Sequence, residues 1–525
     1  MTGADRIIEM LRAAGVERLF GLPGGGSIAD IIAAAERVEF PFSLAQTEAG
    51  SAFMAAAQAE ITGRPGAIVA TLGPGACSAI NGTAHAFLDR VGLIVITDCE
   101  GSSRPEGLHQ AIPQTQMFAP VTRLSRRLLA GEFVATVAEV AAALHQMPPC
   151  PVHLDVAAAF TSATVGASGV SFSVTRQAAA GCNGVPQSRR PLFLIGLGAR
   201  EAGVARTVCA LSEARGIPAL VTYKAKGVVP DNHAWFAGVL THGALEREML
   251  ERADLFIAVG LDPVELLPRD WKYPQPVVSV NSWAMPQTQV AFHSELVGDI
   301  EATLQILAAR LPERSDWDEA EIGRMAEKQR MKIRIAYDSG AILPHRVVEL
   351  TAAVYPGARA TVDAGAHMFP VMSLWPVVEP NGVLISNGLA TMGFALPAAI
   401  GAALLDTTKP VIAFTGDGGL LICLGELRTA AREGLQVRVI VFDDSVLSLI
   451  RIKQLERHYP TESTFSGEVD WAAVAAGFGV VAREARTEDE LRTALNETRH
   501  HAGPVLIAAK ITADTYPATI RALRG

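Results

Sequence analysis

The chain has 525 residues, 49% hydrophobic and 19% charged, and a formal net charge of −9. That length exceeds one core and implies two to four domains, in a composition rich in Ala and Gly as α/β proteins often are. With no polybasic block, no apolar run near the ~20 residues of a membrane span and no leader-like N-terminus, nucleic acid and membrane are excluded as partners and a soluble cytoplasmic protein is expected.

Three α/β blocks follow one another. The first, 1–156, opens with a helix over 4–14 and a strand over 18–20 that runs into a Gly-rich turn, Gly21 to Gly26. Apolar runs at 67–70 and 93–97 alternate with helical stretches, the pattern of a parallel sheet. Residues 157–190 are small and aperiodic, include Gly181-Cys182-Asn183-Gly184-Val185-Pro186, and read as a linker. The second block, 191–311, begins with a strand over 192–195 and the turn Gly196-Leu197-Gly198-Ala199. There the third glycine of a dinucleotide fingerprint is displaced to Gly203, which favours a structural Rossmann-like domain over an NAD site. A charged helical linker, 312–342, leads into the third block, 343–525, which ends in a strand over 504–508. The expected fold is α/β, with three doubly wound parallel-sheet domains. The six cysteines, Cys77, Cys99, Cys150, Cys182, Cys209 and Cys423, lack paired spacing, so neither a disulfide framework nor a zinc site is expected.

The third block carries the most informative string, Phe414-Thr415-Gly416-Asp417-Gly418-Gly419. An apolar strand leads into it, a helix-like segment over about 424–432 follows, and a second apolar run ends at Asp443-Asp444-Ser445. In a parallel sheet both strand ends lie on one edge, where ligands of open α/β sheets bind. Carboxylates at both ends can share a hard cation, while glycine amides and a helix N-terminus hold phosphate oxygens. A strand–turn–helix–strand unit with acidic turns would produce the same string, so the motif alone leaves both readings open.

A second set of residues resolves the choice. The chain resembles, over essentially its whole length, the thiamine-diphosphate enzymes of the acetolactate synthase, pyruvate decarboxylase and benzoylformate decarboxylase group. The resemblance rests on the metal string, on Gln46-Thr47-Glu48-Ala49-Gly50, on Thr71-Leu72-Gly73-Pro74-Gly75-Ala76, and on Ser386 to Ala399, the match closest to acetolactate synthase. It implies pyrimidine-binding, central and diphosphate-binding domains in that order. It further implies that Asp417, Asp444 and the Val446 carbonyl ligate Mg2+, with Gly416, Gly418 and Gly419 around the diphosphate. Relatives mostly carry Asn-Asn at Asp443-Asp444, so the chain adds negative charge beside a diphosphate and needs local compensation.

By the same resemblance, Glu48 drives the aminopyrimidine into its imino form, which removes the thiazolium C2 proton and leaves a carbanion that attacks carbonyls. Gly73 belongs to the turn where the first domain meets the pyrimidine. Met392 props the two rings into a V, and the Ala390 carbonyl accepts from the 4′-amino group; without the surrounding string, a lone Met would read as core filler. Ala366 and His367, in Asp363-Ala364-Gly365-Ala366-His367, add diphosphate contacts. The substrate pocket would be lined by Gly25, Leu72, His109 and Gln110, with Leu449 and Ile450 as the far wall. Gln110 stands in the register of the acetolactate synthase glutamine and would orient substrate. His109 is the one obvious titratable group there.

A pocket poor in proton donors favours decarboxylation of a 2-oxo acid followed by carboligation. The alternatives are a simple 2-oxo acid decarboxylase, a lyase or hydrolase of a diketone, sulfonate or acyl-CoA, and a cofactor-binding homologue with impaired catalysis. FAD in the central domain is not expected, because the flavin-contacting stretches are represented only by Leu240-Thr241-His242-Gly243-Ala244 and a replaced segment, Gly260 to Arg269. A homodimer or homotetramer with the active site between chains is implied.

Overall fold

The computed structural model describes residues 1–525 except 101–108, 173–176, 180–183, 286–288 and 339. Gly181, Cys182 and Asn183 of the expected linker therefore lie outside the described residues.

Three parallel six-stranded sheets are strung along the chain. The first contains β1 (Leu19–Gly21), β2 (Phe42–Leu44), β3 (Gly66–Ala70), β4 (Leu93–Asp98), β5 (Leu124–Leu128) and β6 (Val152–Val156), in the spatial order β2-β1-β3-β4-β6-β5. The second contains β7 (Pro191–Ile195), β8 (Ala219–Val221), β9 (Phe236–Val239), β10 (Leu255–Val259), β11 (Val277–Asn281) and β12 (Ser294–Val297), in the order β12-β11-β10-β7-β8-β9. The third contains β13 (Arg359–Val362), β14 (Val383–Ile385), β15 (Val411–Gly416), β16 (Val437–Asp443), β17 (Val481–Ala485) and β18 (Val505–Lys510), in the order β14-β13-β15-β16-β18-β17. The α/β reading holds, and the first and third sheets share one topology without sharing sequence. β3, β7 and β15 are buried almost throughout, as strands covered by helices on both faces must be.

Open α/β sheets bind ligands where strand order reverses, at the carboxyl ends of the strands. In the first sheet that point lies between β1 and β3, and the loops leaving them are Leu22–Gly26 and Thr71–Gly75. In the third sheet it lies between β13 and β15, whose exits are Asp363–His367 and Asp417–Gly419. Four of the strings singled out above leave strands at these two points, and the others in these two domains leave β2, β4, β14 and β16 on the same sheet edges.

The Ala- and Gly-rich composition has a packing cause. Helices Glu48–Thr62, Pro74–Leu88 and Ala395–Ala403 approach so closely that a Cβ on Gly82 would sit 2.3 Å from Ala52 Cβ, and one on Gly401 would sit 2.3 Å from the Met54 carbonyl oxygen. Gln58 spans the same seam, its Nε2 donating to the Gly401 carbonyl at 3.0 Å. One apolar cluster thus runs from the first domain into the third and fixes their relative placement.

Local boundaries differ from expectation in three places. The first helix is Gly3–Ala13, set by a capping box between Thr2 and Asp5. The helix expected over about 424–432 is Glu426–Arg432, and a further helix, Asp417–Ile422, begins inside the metal string itself. The stretch 157–190 is not loose at its start: Ala158–Thr161 is helical, and Phe160 and Val165 are buried in the first domain's core.

Candidate cofactor site

The first domain presents one half of a site. Thr47 caps the helix that Glu48 begins, its Oγ1 accepting from the Gly50 N–H at 2.9 Å. Glu48 is half-buried, and its Oε1 lies 3.0 Å from where a Cβ on Gly75 would stand, so only glycine lets the Thr71–Gly75 turn approach the carboxylate. Gln110 lies across the same turn, its carbonyl 2.7 Å from a Cβ position on Gly73. Gly73 (φ +64°) and Gln110 (φ +61°) both adopt left-handed backbone. His109 and Gln110 are exposed in the single chain, and Gly25 faces open space.

Two side chains that sequence reasoning missed hold this half in place. Gln114 is buried; its Oε1 accepts from the Gly73 N–H at 2.7 Å and its Nε2 donates to Asp155 Oδ1 at 2.8 Å. Glu426, from the third domain, accepts at Oε1 from the Gln46 and Thr47 N–H groups, each at 3.1 Å. Its carboxylate grips the turn immediately before Glu48, and burial raises its pKa. An acid in an Ala-rich helical stretch was the available signal.

The third domain presents the other half. Asp417 begins a helix at the end of β15, and Asp444 follows β16, the neighbouring strand in register. Asp417 Oδ2 accepts from Ser466 Oγ at 2.6 Å; Asp444 accepts from Ser448 Oγ and from the Val446 N–H at 3.2 Å. Burial pushes the Asp444 carboxyl up to about 7, and the nearby Asp417 charge pushes the same way. Ser445, between Asp444 and Val446, is another non-glycine residue with left-handed backbone (φ +58°). Such strain collects at binding sites, where the surroundings over-determine it.

Asp443 stands apart from this pair. Its Oδ2 accepts from Lys510 Nζ at 2.6 Å and from Trp471 Nε1 at 2.8 Å, so the added charge has a counter-ion.

Asp363 ties the remaining loops together. Its Oδ1 accepts from the Phe394 and Ala395 N–H groups, each at 2.7 Å, and its Oδ2 from Thr415 Oγ1 at 2.6 Å. Met392 Cε then lies 3.5 Å from where a Cβ on Gly418 would be, and Ala390 is left-handed (φ +52°). His367 stacks on Phe442 at a centroid distance of 5.3 Å and sits over Gly416. Burial drives its pKa down to about 3, so the ring is neutral, and its buried Nε2 has no hydrogen-bond partner. Ala366 is buried beside it, and Leu449 is half-buried on helix Ser448–Glu456.

Two acids on adjacent strand ends, near enough for the Asp417 charge to act on Asp444, are hard-oxygen donors, and the Val446 carbonyl after them accepts from the Ser448 N–H at 2.8 Å. Glycines and an orphaned buried imidazole stand nearby, groups of the kind that suit a diphosphate. Residues 1–118 match the N-terminal TPP binding domain of the thiamine pyrophosphate enzymes, 184–307 the central domain, and 363–509 the C-terminal TPP binding domain. The chain belongs to the thiamine pyrophosphate enzymes.

Full-length relatives agree. The chain is 28% identical to the acetolactate synthase isozyme 1 large subunit of Escherichia coli, over 98% of this chain and 95% of that one. It is equally similar, at 28%, to a catabolic acetolactate synthase of Raoultella terrigena (97% and 95% covered) and a probable 2-ketoarginine decarboxylase of Pseudomonas aeruginosa (97% and 93%). Among the described residues of this thiamine pyrophosphate enzyme, no hydrogen bond or ion pair joins Glu48, Gly25, His109 or Gln110 to Met392, Asp417 or Asp444. No helix of the described residues is long and apolar enough to cross a membrane.

Proposed function

We propose that this thiamine-diphosphate-dependent enzyme decarboxylates a 2-oxo acid and passes the product carbon to an acceptor carbonyl, as the acetolactate synthases it resembles are named for doing. The observation carrying this reading is the pairing of two sheet edges. The carboxyl edge of the first sheet carries Glu48, after β2, and Gln110, after β4; that of the third carries Met392, Asp417 and Asp444, after β14, β15 and β16. Among the described residues His109 is the titratable group on the substrate side.

Asp417, Asp444 and the Val446 carbonyl would hold Mg2+, and Gly416, Gly418, Gly419, Ala366 and His367 would contact the diphosphate. Neutral His367 can offer one ring nitrogen to a phosphate oxygen without adding charge. When bound, thiamine diphosphate supplies a nucleophilic thiazolium carbon and an electron sink for the bond to carbon dioxide. Glu48 holds the proton exchanged with the pyrimidine ring, Met392 and the Ala390 carbonyl orient that ring, and Gln110 orients the substrate. Gly25, Gly73, Leu72, Leu449 and Ile450 would wall the pocket with side chains that donate no proton, which favours ligation to an acceptor carbonyl over protonation.

A homo-oligomer is part of the proposal, because among the described residues no hydrogen bond or ion pair within one chain joins Glu48, Gly25, His109 or Gln110 to Met392, Asp417 or Asp444. Beside the metal loops, Ile422 is 61% exposed and Phe465 57%, which suits coverage by a second copy.

A flavin in the central domain is not proposed. The Leu197 N–H, at the β7 turn where a dinucleotide's pyrophosphate would lie, donates to Glu265 Oε2 at 2.9 Å. The Thr241 and Gly243 N–H groups likewise donate to Glu246, each at 2.9 Å. Calorimetric titration of Mg2+-loaded protein with thiamine diphosphate, followed by assay of carbon dioxide and ligated product from a panel of 2-oxo acids, tests the whole reading. Tight binding with aldehyde as the only product would favour the decarboxylase alternative.

A further inference from the structure

The loop bearing Ala390 and Met392 is gripped from behind by charges belonging to the other two domains. Lys224, just past β8 and 2% exposed, donates from Nζ to Glu60 Oε2 at 2.6 Å, to Asp89 Oδ2 at 3.0 Å and to the Ile385 carbonyl at 3.1 Å. Asp89, the C-cap of helix Pro74–Leu88, accepts from the Asn387 N–H at 3.1 Å and from the Gly388 N–H at 2.6 Å. One helical turn earlier, His85 Nδ1 lies 3.0 Å from Ser386 Oγ, which also accepts from the Thr391 N–H at 3.4 Å. Arg200 pairs with the same Glu60 Oε2 that Lys224 holds and reaches Asn381 Oδ1 at 3.2 Å.

Glu60, His85 and Asp89 converge closely enough to hold a cation, and the Lys224 ammonium is that cation. Two carboxylates face two cationic side chains, and burial keeps His85 neutral. Burying such a cluster costs desolvation that its internal attraction barely offsets, so net stability is a poor account of it. Its contacts offer a better one. Lys224, Asp89 and Ser386 together hold main-chain groups at 385, 387, 388 and 391, immediately before Met392, around an Ala390 that is strained on its own.

We propose that Lys224 and Asp89 are positioning residues for the cofactor: they clamp the 385–391 segment from the central and first domains, so that the Ala390 carbonyl and Met392 meet the bound cofactor in a fixed geometry. The proposal rests on the thiamine diphosphate reading above. With Lys224 removed, Arg200 still pairs with Glu60 but Asp89 loses its cation and faces the Glu60 charge, Asp89 turns from the Asn387 and Gly388 N–H groups, and the left-handed turn at Ala390 relaxes.

Lys224→Met and Asp89→Asn test this against Arg90→Met. The control breaks another ion pair between the first and central domains (Arg90 Nε to Asp262 Oδ2, 2.7 Å) and leaves the main-chain bonds made by Lys224, Asp89 and Ser386 in place. Its route to the loop is Asp262, which caps the turn whose Val264 carbonyl accepts from Asn387 Nδ2 at 3.4 Å. The readouts are thiamine diphosphate affinity by calorimetry, the near-ultraviolet circular dichroism of the bound cofactor, and melting temperature. The expected result is affinity weakened about tenfold or more and an altered dichroism band in both clamp variants, with Arg90→Met matching wild type in both. Wild-type affinity and an unchanged band in the clamp variants, whatever their melting temperature, would overturn the proposal. Should both fail to fold, Ser386→Ala, which cuts the link to Thr391 without stranding a charge, decides on the same two readouts. A wild-type protein that binds no thiamine diphosphate would overturn the functional reading, and this proposal with it.

Discussion

Lys510 Nζ lies 2.6 Å from Asp443 Oδ2, across the last register pair of the neighbouring strands β18 and β16. The pair answers the question posed by consecutive acids at 443 and 444. Asp443 is spent on Lys510 and Trp471, which leaves Asp417 and Asp444 as the carboxylates available to a cation. Lys510→Met strands a buried carboxylate and should cost about 2–3 kcal/mol, below the usual range for breaking a buried pair because Lys510 is partly exposed. The double variant Lys510→Met with Asp443→Asn removes both charges and should recover most of that loss. Denaturant melts of the two single variants and the double variant measure it; purely additive effects would refute a direct pair.

Removal of the metal should remove the cofactor. Asp417→Ala takes one of two carboxylates from the donor set, and chelation takes the ion itself. Either should lower thiamine diphosphate affinity by at least about 100-fold, the size of a lost first ligand plus its charge. Calorimetry with and without Mg2+ reads the change, and metal-independent tight binding would refute the ligand assignment.

Glu48 and Asp417 should act across chains. Glu48→Gln alone should cut turnover by roughly 10²–10⁴-fold, the usual contribution of a proton-transfer group, with cofactor affinity largely kept. Asp417→Ala alone should be inactive for want of cofactor. Co-expressed, the two variants form mixed dimers in which one site carries both native residues, so activity should return. Continued inactivity of the mixture, with mixed dimers verified by mass, would show that each site is built from a single chain.

Much of this was legible in the sequence because it is local. Gly416 to Gly419, Thr71 to Gly75 and Ser386 to Met392 are short strings at strand exits, and strand exits are where parallel sheets bind ligands. What was not legible is held by pairings distant in sequence. Lys510 meets Asp443 only because β18 lies beside β16; Glu426 reaches Thr47 and Lys224 reaches Glu60 only once domains have packed. No periodicity marks such partners, since each is a charged residue in a strand, helix or turn that would read equally well as solvated. Asp363 is intermediate: it stood inside a quoted string, but its role depends on Phe394 and Ala395, which the fold brings to it.

Glu265 gives the central domain a pH signature. It is buried at the β7 turn, accepting from Thr222 Oγ1 and from the Leu197 and Asp262 N–H groups, and burial pushes its pKa from 4.5 up to about 7. Between those values the folded chain keeps a proton that the unfolded chain has released. The stabilisation linked to this proton is therefore fully present below about 4.5 and is lost as pH rises through about 7, on the order of 3 kcal/mol in all. Glu265→Gln keeps an oxygen acceptor and cannot ionise, so its stability should lack this decline. Comparing the two proteins by denaturant titration from pH 5 to pH 8 isolates the group from other titrating residues. The wild type should lose ground to the variant across that window, and parallel curves would show that Glu265 stays ionised in the fold.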